Sequence, residues 1–226
     1  KNNKVLVPNY DIMIEKINPE TKVIYISSPN ITSGKNISHE TFVSFMDRIP
    51  DNVVVIIDQR YTEFSLKTFK KDGILDPIRL INKYSNLVII RTFNNLYSIE
   101  TLELTYIIAN KTLTKIIRDS QIINPIDRYT EEIALNVIDD SYYLKKIKKL
   151  QTEKDKLIKI LDENKIPYYN SDINFILIKT KIKKDEIIKL LEKKGIILYE
   201  SNDNYNSYWT LPLGTPEINE LVIETI

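Results

Sequence analysis

The chain reads as an α/β protein, a mostly parallel sheet flanked by helices, with a smaller α+β C-terminal domain. Three observations predict this. Short apolar runs of strand length recur at residues 23–26, 53–57 and 87–90, each bounded by polar residues, which is the pattern of strands buried on both faces. A helical pattern with its own start and stop signals lies between the first two. After Asn124-Pro125 the character changes to a lysine-rich stretch of helical period, followed by a compact βαββα pattern.

In chain order, residues 4–8 are expected to form a short strand and residues 12–17 a short helix or turn. Val23-Ile24-Tyr25-Ile26 is a buried strand entering the loop Ser28-Pro29-Asn30-Ile31-Thr32-Ser33-Gly34. Ser38 then caps a helix whose Phe42, Phe45, Met46 and Ile49 share one face, and Pro50 stops it. The next strand, 53–57, ends at Asp58. An irregular connection follows, containing a short helix around 75–84 with Pro77 in its first turn. Strands 87–91 and 103–109 and a helix over about 111–119 complete this part.

From Arg128 to about Asp162 the period is helical, with a break at Asp139-Asp140. Tyr143, Ile147, Leu150, Leu157 and Leu161 supply its apolar stripe. Lys145, Lys146, Lys148, Lys149 and Lys154 are placed largely off that stripe, on a solvated face. The βαββα unit takes a strand at 173–178, a helix at 184–194 ending at Gly195, strands at 197–199 and 208–213, and a last helix from Pro216. The expected division is therefore 1–124 for part of a large domain, 125–165 for connecting helices and 166–226 for the small domain.

Composition narrows the function. With 42% hydrophobic and 28% charged residues the chain is of the ordinary soluble globular class. A net charge of +1 leaves no electrostatic footprint for nucleic acid or a membrane surface. No apolar run approaches membrane-spanning length and no signal peptide is recognisable. The absence of cysteine removes disulfides and a thiolate nucleophile, and fits a reducing, cytoplasmic compartment. The four glycines are too far apart for a phosphate-cradling loop. The single histidine, His39, reads as a surface residue in a first helical turn, which discards a Ser-His-Asp triad and any histidine-based metal site.

Ligands of open α/β sheets sit beyond the carboxyl ends of the strands, where Asp58, Tyr61, Thr92 and Asn95 fall. From spacing alone, Asp58 is either an acid capping a turn or a ligand contact, and Tyr61 either an aromatic plug or part of a site.

The order of the pieces adds a resemblance. Thr21-Lys22-Val23-Ile24-Tyr25-Ile26-Ser27-Ser28-Pro29-Asn30, with Gly34 beyond, resembles the strand leading into the Asn-Pro-Asn-Asn-Pro-Thr-Gly loop of the class I/II (fold type I) pyridoxal-phosphate aminotransferases, in particular their histidinol-phosphate aminotransferase-like branch. Asp58-Gln59-Arg60-Tyr61-Thr62-Glu63-Phe64 is similar to that family's Asp-Glu-Ala-Tyr-x-Glu-Phe, and Arg91-Thr92-Phe93 to the Arg-Thr-Phe before its Ser-Lys. Ile173-Asn174-Phe175 and Leu213-Gly214-Thr215-Pro216 match two small-domain signatures.

The resemblance implies an incomplete aminotransferase large domain, pyridoxal phosphate as cofactor, and a homodimer or hetero-oligomer. It implies that Asp58 faces the ring nitrogen, Tyr61 the ring hydroxyl and Thr92 the phosphate. It also exposes departures. Asn95 stands at the Schiff-base lysine, and an amide forms no imine. Glu103 stands at a phosphate-binding arginine, and the loss of such a charge partner costs about 2–5 kcal/mol. Ile31 replaces an asparagine that contacts the ring, and Thr210 replaces the arginine that forks onto the substrate carboxylate. What the family carries ahead of Lys1 leaves two expectations: a piece of a longer polypeptide, or a truncated sheet whose exposed edge is covered by another chain.

Three readings follow. The first is a family member with a disabled site and a structural, regulatory or binding role, binding pyridoxal phosphate non-covalently or not at all. The second is an active pyridoxal- or pyridoxamine-phosphate enzyme acting on an amino acid and a 2-oxo acid, completed by a partner chain. The third is a non-catalytic module for another small molecule.

Overall fold

The computed structural model describes residues 8–65, 73–121, 126–138, 140–197 and 208–226. Helix α1 (Tyr10–Glu15) starts at Asn9, whose side-chain oxygen accepts the Ile12 N–H at 3.1 Å. Strand β1 (Val23–Ser27) leads through the glycine loop to α2 (His39–Met46), capped by Ser38 as expected. Strands β2 (Val54–Asp58) and β3 (Leu87–Thr92), the one-turn helix α3 (Asn94–Tyr97) and strand β4 (Thr105–Ala109) complete the first sheet. Its order is β1-β2-β3-β4, with β1, β2 and β3 parallel.

Strand β4 runs antiparallel to β3, with Thr92 opposite Thr105. The connection holds only α3 and a 3-10 turn at Glu100–Leu102, too little helix to cross the sheet, so the chain turns back on itself. Glu103 takes a left-handed φ of 50° at that reversal. The helix expected around 75–84 shrinks to a 3-10 turn at Pro77–Leu80.

Strand alternation sends Ile24, Ile26, Val55, Ile57, Leu87 and Ile89 to one face, where Phe42, Phe45 and Met46 of α2 cover them. Fully burying side chains of this size stabilises by about 1.5–3 kcal/mol each. The opposite face is more open than two-sided burial would require. Val23 and Tyr25 on β1 remain 53% and 52% exposed, because β1 alternates in burial where a fully covered strand would not.

Helices α4 (Lys111–Ser120), α5 (Arg128–Val137) and α6 (Asp140–Glu163) follow. The break between the last two falls at the extended Ile138, beside Asp139, which lies outside the described residues. Leu157 and Leu161 are buried, and Ile147 and Leu150 pack on Ile173, Phe175 and Leu177, as the stripe predicts; the side chain of Tyr143 lies outside those described.

Lys154 corrects the solvated-face expectation. It is 2% exposed, and its Nζ donates to the carbonyls of Ser171 (2.8 Å) and Ile173 (2.5 Å) and to Ser171 Oγ (3.1 Å). Lying four residues after Leu150 and three before Leu157, it shares their face, and its aliphatic stem continues the stripe.

The second sheet comprises β5 (Tyr168–Asn170), β6 (Phe175–Ile178) and β7 (Trp209–Pro212), all antiparallel, with α7 (Lys184–Lys193) and α8 (Pro216–Ile223). β5 had no counterpart in the sequence reading. The expected strands at 4–8 and 197–199, apart from Pro8 and Ile197, lie outside the described residues.

Asp172 fastens the two sheets together. Its carboxylate accepts from Lys35 Nζ (3.1 Å) and the Asn36 N–H (3.0 Å), and its own N–H donates to the Gly34 carbonyl at 2.7 Å. Gly34 has φ +65°, and a Cβ there would lie 2.3 Å from Ser171 Cβ, so only glycine lets the loop approach.

Candidate functional site

Asp58 ends β2 in register with Ser27 and Ile90, and its side chain lies on the same sheet face as Tyr25. The Tyr25 hydroxyl donates a short hydrogen bond to Oδ2. Arg60 supplies everything else. Its backbone N–H donates to Oδ1 at 2.9 Å, its Nη2 to Oδ2 at 2.7 Å, and its Nε bridges both oxygens at 3.1 and 3.0 Å. That makes five donor contacts on a carboxylate with about four lone-pair sites. Burial pushes the Asp58 carboxyl up, but the Arg60 side chain, the Tyr25 hydroxyl and the Arg60 N–H outweigh it and leave the group below the usual carboxylate range. Burial, and then the neighbouring carboxylate, push the Tyr25 hydroxyl up.

Asn95 lies in α3, and its Nδ2 donates to the Arg60 carbonyl at 2.7 Å. Arg60 is therefore held at its N–H, its carbonyl and its guanidinium. Beside it, Arg91 donates through Nε and Nη2 to Gln59 Oε1 at 3.1 and 2.8 Å. Burial raises the carboxyl of Glu63 to about 7, against its own N–H and the charge of Arg91.

The structure joins some of the expected residues and separates others. Tyr25, Asp58, Arg60 and Asn95 form one hydrogen-bonded chain. Tyr61 is half-buried, its ring 6.2 Å from that of Phe64, facing the cluster of Ile173 and Phe175. Thr92 is buried at the neighbouring strand end, where its hydroxyl donates to the Leu104 carbonyl (2.8 Å) and accepts the Asn94 N–H (3.1 Å), closing the β3–β4 reversal. Glu103 is exposed and, with Asp127, lines a cavity of about 400 Å³. Ile31 is 59% exposed in the loop after β1, and Thr210 lies on β7 opposite Leu177. Sequence reasoning missed Arg60 and Tyr25. The signal for Arg60 was present: an arginine stands where the matching motif has alanine.

These side chains do not fit a pyridoxal phosphate held in the way the motifs imply. A protonated ring nitrogen needs a free carboxylate oxygen, and both oxygens of Asp58 are taken. An aldehyde needs an amine, and position 95 offers an amide engaged with a carbonyl. A phosphate needs cations or free donors, whereas Thr92 donates to a carbonyl and Glu103 is acidic. Among the described residues, no group of three or more histidine, cysteine, aspartate or glutamate side chains is placed to hold a metal ion, and no helix is long and apolar enough to cross a membrane.

Comparison with known proteins places this geometry. The chain is 30% identical over 215 residues to a histidinol-phosphate aminotransferase of Leuconostoc mesenteroides, covering 93% of the chain and 57% of that relative. The chain thus spans little more than half the length of that relative. Its fold superposes on the histidinol-phosphate aminotransferase of Clostridium acetobutylicum with a TM-score of 0.83 at 21% identity, covering 99% of the chain and 68% of that structure. With the Sinorhizobium meliloti histidinol-phosphate aminotransferase, solved in complex with pyridoxal-5'-phosphate, the TM-score is 0.76 at 16% identity, covering 90% and 55%. Residues 1–205 match the family model described as aminotransferase class I and II, so the chain belongs to that family.

Proposed function

We propose that this chain is an aminotransferase-family subunit whose own catalytic site is disabled, and that its role is structural, regulatory or ligand-binding, within a dimer or hetero-oligomer. One observation carries the reading. The side chain at the lysine position is Asn95, and its amide braces the Arg60 carbonyl at 2.7 Å. Such a group neither forms an imine nor moves a proton as an amine base. The acid at Glu103 and the neutral hydroxyl at Thr210 support the same conclusion for phosphate and substrate carboxylate.

The test is incubation of the full chain with pyridoxal phosphate, followed by borohydride reduction, intact-mass measurement and peptide mapping. No adduct beyond sub-stoichiometric labelling scattered over surface lysines is expected. One equivalent fixed at a single lysine, with a visible absorbance band, overturns the proposal.

A second reading draws on the same comparisons: the chain covers 57% of its Leuconostoc relative, so a partner or a further segment can carry what is missing. Native mass measurement on the assembly from its source distinguishes the two. Amino transfer that appears only in a stoichiometric complex with a second polypeptide favours an enzyme completed in trans.

A further inference from the structure

We propose that Arg60 is a built-in occupant of the ring-nitrogen anchor, a specificity-determining residue that closes the Asp58 carboxylate to a protonated pyridine ring. The proposal rests on the reading of the site as non-catalytic, and its test addresses Arg60 alone.

The geometry favours displacement of any such ring. Arg60 lies two residues from Asp58, and its guanidinium forks onto the carboxylate through Nε and Nη2 at 3.0 and 2.7 Å. Being tethered, it reaches the acid without the translational and rotational losses that a free ligand suffers. Its backbone is braced at both ends, the N–H by Asp58 Oδ1 at 2.9 Å and the carbonyl by Asn95 Nδ2 at 2.7 Å. Tyr25 occupies the remaining capacity of Oδ2. Asn95 is thus more than a missing amine: it is part of the frame that holds the replacement cation. The charge balance points the same way. A protonated ring approaching Asp58 meets a carboxylate already paired with a tethered guanidinium, itself about half exposed, and must either break that pair or remain without a partner.

The experiment uses pyridoxamine, which carries the ring without a phosphate, so that Glu103 does not decide the outcome. Its affinity is measured by calorimetry on the full chain and on Arg60→Met, Arg60→Lys and the double variant Asp58→Asn/Arg60→Met. Arg60→Met keeps the aliphatic stem and frees Asp58, and about tenfold or more tighter binding than wild type is expected, the worth of one charge-assisted hydrogen bond. Arg60→Lys keeps a cation without the fork and gives a smaller gain, which preserves the test if the methionine variant does not fold. The double variant falls back to the wild-type affinity.

Equal affinity of wild type and both Arg60 variants overturns the proposal, and so does a gain that survives the loss of the Asp58 carboxylate. Either result leaves the disabled-site reading standing. A covalent adduct on the wild type overturns that reading without touching this comparison.

Discussion

Replacing Lys154 tests how the long helix is fastened to the second sheet. The side chain is 2% exposed, and its Nζ donates to two carbonyls and a hydroxyl on the segment around Ser171. Lys154→Met keeps the stem packing but withdraws these donors. Hydrogen bonds to a charged group contribute about 1.5–3 kcal/mol each, and relief from desolvating the amino group offsets part of the loss. The net expectation is destabilisation of about 1–3 kcal/mol, or a fall in Tm of roughly 3–10 °C for a chain of this size. Lys154→Ala also removes about three buried methylenes at ~0.8 kcal/mol each, for a total of about 3–5 kcal/mol. The assay is urea unfolding followed by the fluorescence of Trp209, the only tryptophan, which is 4% exposed in the same core as Leu157 and Leu161. A methionine variant as stable as wild type, or more stable, refutes the reasoning, because the desolvation cost would then outweigh the bonds.

Further outcomes concern pH and glycine. Glu63 has its carboxyl raised to about 7 in the fold, so its favourable contribution is fully present below the ordinary glutamate range and is lost as pH rises through 7. Wild type should therefore lose up to about 3 kcal/mol relative to Glu63→Gln between roughly pH 4.5 and 7, and parallel stability curves would falsify this. Asp58 is shifted the other way: its contribution is present above the ordinary carboxylate range and is lost as pH falls through its depressed value. Asp58→Asn should flatten the acid limb of the unfolding curve, and an unchanged limb counts against the Arg60 fork. Gly34→Ala should cost about 2 kcal/mol or more, since it adds a clash with Ser171 to a φ of +65°. Gly73→Ala, at φ +64° with nothing within 4 Å, should cost only about 1 kcal/mol in chemical denaturation. Equal costs would refute the close approach at Gly34.

Most of the architecture was legible because it rests on periodicity. Short, wholly β-branched runs such as Val53-Val54-Val55-Ile56-Ile57, bounded by polar residues, favour a buried strand over a helix, and the Ser38 cap and Pro50 stop delimit α2 without reference to the rest of the chain. Polar side chains that become buried were harder. Lys154 reads as one more lysine in a basic helix, and nothing local reveals that its amino group will meet the carbonyls of residues 171 and 173. The direction of β4 was equally hidden, because it depends on how the Thr92 hydroxyl and Asn94 fold the connection back onto Leu104.

What the linear order of residues determined by itself is the family and the parallel core, and that positions 95, 103 and 210 carry an amide, a carboxylate and a hydroxyl. What only the tertiary structure decided is the present state of Asp58. Its identity marks the end of a strand and an anchor for a cation. Which cation sits there depends on the distance and angle between side chains of different strands and loops, and those place the guanidinium of Arg60 and the hydroxyl of Tyr25 on its oxygens. Residue type specifies what bonds are possible, whereas three-dimensional proximity selects the ones that form.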